Sequence, residues 1–297
     1  MRTRGYASRA APHPSTVARA LSALRLIHPF PTLMNALATG GLAELATRGR
    51  ASVWTVAWLM LTMLAIQSTI GIVNDLRDRT LDVRSKPAKP LVRGTVSVHT
   101  ARFAAVVTLL AAILLATRFG LISWLLAVGG LACGLLYDLW LKRTVASGLP
   151  YAVGLPLLPL WVWTATGRFC SELYAVIPLG LLLGLALHLA NSLPDFDEDA
   201  LAGVEGLVHR LGSEPAVALC WGSYALALIC AVVSTAWVRY TPVILIPGVA
   251  LAAAALLGAA ALYRLLPRPA SLQTGWTLLV VGTAALTLGW LGALLPC

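Results

Sequence analysis

Apolar runs close to 20 residues long, separated by short polar segments, recur from one end of the chain to the other. They predict membrane-spanning helices at about 27–47, 53–73, 101–118, 120–137, 147–166, 173–192, 215–237, 242–263 and 273–295. Some 20 apolar residues in helical geometry match the hydrocarbon core of a bilayer. The runs are continuous and lack the alternation of barrel strands, so helices are what satisfies the backbone in lipid. The predicted fold class is an all-α membrane protein, a bundle of nine transmembrane helices around a central cavity.

Two polar stretches stand out against this pattern. The second apolar run ends in NDLRDRTLDVRSKPAKPLVRGTVS, Asn74 to Ser97. Asn74, Asp78 and Asp82 are four apart and therefore stack on one helix face. Arg77, Arg79, Arg84, Lys86, Lys89 and Arg93 follow or interleave. The sixth run ends in NSLPDFDED, where Asn191, Asp195 and Asp199 repeat the spacing. Either ladder alone is also compatible with a solvated, charged helix end; two copies after two apolar runs point to a shared site. Asp75, Asp197 and Glu198 fall off the ladder faces and are expected as supporting or solvated carboxylates.

An Asp near a bilayer is costly, about 2.5–3.5 kcal/mol at a helix centre, and clustered carboxylates repel, so something positive is expected among them. The ladders supply carboxylate and amide oxygens with no His or Cys ligand nearby, a hard donor set that favours Mg²⁺. Protein-bound Mg²⁺ is commonly shared with substrate phosphates. The adjoining Lys and Arg side chains can complete a diphosphate site.

Composition sharpens the class. Of 297 residues, 59% are hydrophobic and 11% charged, against roughly 25% charged in soluble domains. The net charge of +10 needs no nucleic-acid partner, because topology explains it. With the amino terminus in the cytoplasm, 17 of the 22 Lys and Arg residues fall on the cytoplasmic side, leaving Arg48, Arg50, Arg118, Arg168 and Arg239 opposite. That asymmetry obeys the positive-inside rule. It places both ladders on the cytoplasmic side and the carboxyl terminus outside. Four spans separate the ladders, so the two units share an orientation, a weak parallel repeat with asparagines 117 positions apart (191 less 74). Residues 1–20, with Arg2, Arg4, Arg9 and Arg19, are expected as a flexible basic cytoplasmic tail rather than a signal peptide; residues 21–297 form one membrane domain. The five cysteines form no CxxC pair and are expected as free, buried thiols.

The first polar stretch resembles the first signature of the UbiA-type intramembrane prenyltransferases, through Asn74, Asp75, Asp78, Asp82, Lys89, Pro90, Leu91, Gly94 and Ser97. NSLPDFDEDALAGVEGLVHRLG resembles the second, through Asn191, Asp195, Asp199, Gly203, Arg210, Leu211 and Gly212. Tyr137 and Lys142 in LLYDLWLK resemble the family's Tyr and Lys after the fourth span. The resemblance implies a prenyl diphosphate donor held through Mg²⁺ and alkylation of a hydrophobic or aromatic acceptor by the allylic cation. It implies Asn74, Asp78, Asp82, Asn191, Asp195 and Asp199 as metal ligands. Lys89, Lys142, Arg210 and Arg77 are then the diphosphate contacts, with Tyr137 and Lys142 at the reacting centre. The chain departs from the pattern at Ser192, where Asp is frequent, and at Glu205, where Lys or Arg is frequent, so Glu205→Lys is expected to strengthen donor binding. Arg is also common where Lys86 and Lys89 stand.

Other polar positions carry two readings each. Arg25 suits an acceptor anion or a positive flank. Asn35 and His188 suit the pocket or a helix–helix hydrogen bond. Tyr137, Trp140 and Tyr151 can face a carbocation, and Trp140 equally suits the interfacial aromatic belt. Pro194 should break the second ladder's helix and free a carbonyl near residue 190; Pro156 and Pro159 either widen the cavity or are merely tolerated. The rival functions are an intramembrane terpene cyclase of the same fold and a cation-coupled membrane transporter.

Overall fold

The computed structural model describes residues 22, 24–201 and 203–294. The expected tail at 1–20 and Cys297 lie outside them. The helices are α1 (Pro29–Thr47), α2 (Val53–Ser85), α3 (Pro90–Arg93), α4 (Val98–Ala116), α5 (Leu121–Leu139), α6 (Leu149–Ala165), α7 (Val176–Ser192), α8 (Phe196–Leu201), α9 (Leu207–Leu211), α10 (Ser213–Val233), α11 (Pro242–Leu265) and α12 (Arg268–Ala293). Among the described residues, seven helical segments are long and apolar enough to cross a membrane. The nine predicted runs correspond to α1, α2, α4–α7 and α10–α12. Of these, α6 has only 17 residues, and α1 carries Asn35 and Glu44; neither is among the seven.

Local chemistry sets the boundaries that matter for the site. Ser52 caps α2, its hydroxyl accepting from the Thr55 N–H at 3.1 Å. At 33 residues, α2 is about 50 Å long at 1.5 Å per residue, well beyond the ~30 Å hydrocarbon core. Its last turns, which bear Asp78 and Asp82, therefore project past the apolar thickness. Pro87 ends the helix by pushing Lys86 out of helical geometry, and Lys86 adopts φ −133°, ψ 59°. Pro90 starts the single turn α3, and Gly94 closes it at φ 70°, a left-handed conformation that glycine adopts without steric cost. This short return brings Lys89 back against α2.

The bundle closes by neighbour-to-neighbour packing: α2 against α1, α4 and α5, then α5 on α6, α6 on α7, α7 on α10, and α11 on α12, with α12 reaching back to α7 and α1. Lipid offers no hydrophobic drive for helix association, so close backbone approach does the work. Gly248 of α11 faces Gly289 of α12, where an added Cβ would lie 2.8 Å from the partner Cα. Gly184 of α7 lies against the backbone of Tyr151 and Ala152 in α6.

Two cavities open inside the bundle. One, of about 620 Å³, runs from the ladder end into the apolar interior. The other, of about 1350 Å³, reaches toward Arg48 and Arg168 at the far end. Both are lined by Asn35, Leu155, Leu158 and Leu187, so they meet in mid-bundle. Pro156 packs on Gly180 of α7. Cys133, Cys220 and Cys230 are free, as expected, but Cys170, in the loop before α7, is disulfide-bonded. That corrects the expectation of five free thiols, which spacing alone had suggested.

Candidate active site

The first ladder lies on one unbroken helix face, as its spacing predicts, and Asp75, Asp78 and Asp82 are all buried. Buried carboxylates demand partners, and basic side chains from three segments supply them. Lys89 Nζ lies 2.7 Å from both Asp75 Oδ1 and Asp82 Oδ2. Burial alone would push the Lys89 ammonium down; the Asp75 and Asp82 carboxylates outweigh it and hold it above the usual lysine range. Lys142, just past α5, donates to Asp78 Oδ2 at 2.5 Å, with Arg143 at 3.6 Å from Oδ1. His28, at the start of α1, holds Asp75 at 3.0 Å. Its own backbone is left-handed, φ 49°, a sparsely populated state for a non-glycine residue. Asp75 is thus a paired, supporting carboxylate rather than a solvated one.

The second ladder is not continuous. Pro194 has no N–H for the carbonyl near residue 190, and the helix stops at Ser192 and resumes at Phe196. The break turns Asp195 and Asp199 inward, and both line the 620 Å³ cavity with Asn191 and Ser192. Burial, and then the neighbouring Asp195, push the Asp199 carboxyl above its usual range. His209 fixes this turn, its ring nitrogen 3.0 Å from the Phe196 carbonyl and its ring stacked on Phe196 at 4.8 Å. Asp197 and Glu198 are exposed.

The same cavity is lined from α2 and α5 by Asn74, Tyr137, Asp138 and, beyond α5, Lys142. Tyr137 meets Tyr151 edge-on at 5.2 Å, and Tyr151 lies 5.1 Å from the His188 ring. His188 is buried, off the cavity lining, and bonded at 2.9 Å to Ser147 in the turn before α6, so it meets a loop rather than either the pocket or a neighbouring helix; Ser147 also accepts from the Leu207 N–H. Below the polar mouth the walls are apolar, with Met63, Ile66, Leu126 and Trp161.

Several expected residues are not brought there. Arg77 is exposed and off the cavity lining, as is Arg210, which pairs with Glu205 at 2.9 Å. Trp140 is exposed, which fits the lipid-interface alternative, and Arg25 is exposed and off the lining. Glu205 therefore pairs with an outlying Arg, off the cavity lining. Glu205→Lys should change donor KM by no more than about threefold, since exposed pairs contribute roughly 0–1 kcal/mol; a donor titration of the variant checks this. Sequence reasoning passed over Asp138, Arg143 and the pairing of His28. An acid at the end of an apolar run is itself a signal, and Asp138 carried it.

Among the described residues, no three His, Cys, Asp or Glu side chains converge as a ready metal cage. Lys89 and Lys142 occupy carboxylate oxygens of the first ladder. The donor chemistry nonetheless fits a hard cation such as Mg²⁺, and the buried oxygens Asp78 Oδ1 and Asp138 Oδ2 lack hydrogen-bond partners.

The site is thus a helical bundle with a polar, acid-and-lysine mouth above an apolar cavity. The sequence profile of the UbiA prenyltransferase family matches residues 33–279, and the chain belongs to that family. A search of curated protein sequences finds no match. Among solved structures the chain resembles a digeranylgeranylglyceryl phosphate synthase, with 16% identity and a TM-score of 0.75 over 92% of this chain and 97% of that one. It also resembles a UbiA homologue from Archaeoglobus fulgidus bound to GPP and Mg²⁺, with 17% identity and a TM-score of 0.68 over 90% and 99%. An apo UbiA homologue from Aeropyrum pernix K1 has 17% identity and a TM-score of 0.66 over 87% and 96%. At these identities the likeness is one of fold.

Proposed function

We propose that this chain transfers the prenyl group of a prenyl diphosphate to a hydrophobic or aromatic acceptor inside the membrane, in a Mg²⁺-dependent reaction. The observation that carries the reading is the single cavity in which Asn74, Asn191, Asp195, Asp199 and Lys142 surround a mouth that opens onto apolar walls. Asn74, Asp78, Asn191, Asp195 and Asp199 would hold the metal, and Asp82 would join them on release from Lys89. When bound, Mg²⁺ supplies positive charge that stabilises the departing diphosphate.

The chain's own groups do the rest. Lys142 turns from Asp78 to the diphosphate and Lys89 supports it, each as a point charge. Tyr137 and Tyr151 present ring faces near the allylic carbon. The apolar walls exclude water that would quench the cation. The prenyl tail lies along Ile66, Leu126 and Leu158, with room beyond them where the two cavities meet. The GPP and DMAPP bound with Mg²⁺ in structures of the A. fulgidus homologue support this choice of donor.

Protein in nanodiscs with a labelled prenyl diphosphate, Mg²⁺ and candidate acceptors should release diphosphate and form prenylated product together. Cation flux into proteoliposomes with no diphosphate released would instead favour a transporter, and product without any acceptor would favour a cyclase.

The reading includes nine spans with the ladders in the cytoplasm. The charge asymmetry supports it, and so does the disulfide at Cys170 in a loop assigned to the opposite, oxidising side, where disulfides persist. In inside-out vesicles, Glu198→Cys should react fully with an impermeant thiol reagent; reaction only in right-side-out vesicles would invert the topology.

A further inference from the structure

Asp138 belongs to neither ladder. It closes α5, is 6% exposed, and lines the cavity mouth. With its amide oriented to satisfy both of its atoms, Asn74 donates to Asp78 Oδ2 at 3.1 Å and to Asp138 Oδ1 at 3.2 Å. Asp138 Oδ2 is buried with no hydrogen-bond partner. Its neighbours are differently placed. Asp75 and Asp82 share Lys89, and Asp78 has Lys142 and Arg143. Asp138 takes part in no ion pair among the described residues, although Lys142 follows it by one helical turn.

A buried carboxylate oxygen without a donor is rare in folded proteins, and an ion or water is the usual explanation. The surrounding donors decide between them. The Asn74 amide N–H already holds Asp138 Oδ1, which leaves Oδ2 free in a cavity that Asp195 and Asp199 also line. Such a set of hard oxygens suits a divalent cation.

We propose that Asp138 is a cation-binding carboxylate that the two Asp-rich ladders do not include. The proposal rests on the Mg²⁺-dependent reading given above and extends its donor set to a third segment. Asp78 and Asp82 must release a lysine before they bind a cation. Asp138 Oδ2 has none to release, and neither do Asp195 and Asp199 on the same lining, so Asp138 is open to the first cation together with them.

The test uses the full chain in nanodiscs without donor, with Mn²⁺ as a spectroscopic probe and thermal melting with and without Mg²⁺. Asp138→Asn should weaken Mn²⁺ binding at least tenfold. Its cation-free form should melt no lower than wild type, because the change keeps the shape and removes a buried charge. The rise in melting temperature on adding Mg²⁺ should shrink, and Asp138→Glu should restore part of the binding. If wild type binds Mn²⁺ and Asp138→Asn binds it equally, the inference fails while the prenyl-transfer reading stands. A cation-free Asp138→Asn that melts well below wild type would also overturn it, by making Asp138 a structural group. If wild type binds no divalent cation even with prenyl diphosphate present, the underlying reading fails too.

Discussion

Asp78→Asn and Asp195→Asn should each lower prenyl transfer by roughly 10²–10³-fold, the usual cost of losing one electrostatic contact to developing charge, while the protein still inserts and folds. Asn has nearly the size of Asp, and it can still accept from Lys142 at position 78, so the packing of α2 on α5 should persist. What changes is charge. On the proposed reading, each substitution removes a negative oxygen from the metal-holding set and weakens the joint hold on cation and diphosphate. The loss should therefore appear in Mg²⁺-dependent donor binding as well as in rate. Asp197→Asn, at an exposed position one turn from the same site, should stay within about ±0.5 kcal/mol in stability, as for ordinary surface changes, and close to wild type in rate. Transfer assays on the three variants in one lipid composition check this. Equal activity of all three would remove the ladders from the chemistry.

Gly184→Val should prevent α6 and α7 from docking. A side chain at Gly184 meets the Tyr151 carbonyl carbon and the Ala152 Cα, each 2.7 Å from the new Cβ. The obstruction is backbone, which cannot rotate away as a side chain can. Overpacking typically costs 1–3 kcal/mol and occasionally more, and a clash with main chain belongs at about 3 kcal/mol or above. Tyr151 lines the cavity beside Tyr137, so any variant that folds by moving α6 should also lose turnover. Gly41→Ala is the control. An added Cβ there meets nothing within 4 Å, so thermal stability should not fall. Melting both proteins in the same detergent gives the comparison.

Much of the fold was legible because lipid permits so few solutions. A run such as 242–263 is a helix by elimination, and its boundaries agree with α11 to within two residues. The first ladder was legible because its helix continues to Ser85, keeping the four-residue spacing on one face. The second was legible in its residues but not in its shape: Pro194 divides the helix, and only the fold shows that the break turns Asp195 and Asp199 into the cavity. Partners distant in sequence were beyond periodicity. His28 and Asp75 are 47 positions apart, and Lys142 and Asp78 are 64 apart. For the same reason Arg77 and Arg210, plausible by proximity in sequence, are exposed and off the cavity lining. The Cys170 disulfide could not be read from spacing at all.

Donor binding in the presence and absence of metal tests the central claim most directly. Wild-type protein in nanodiscs is titrated with a prenyl diphosphate by calorimetry, first with Mg²⁺ and then with a chelator. Saturable binding that needs Mg²⁺, disappears with chelator and is lost in Asp78→Asn and Asp195→Asn is the result predicted. Binding of equal strength without metal, or undiminished in both variants, would contradict it.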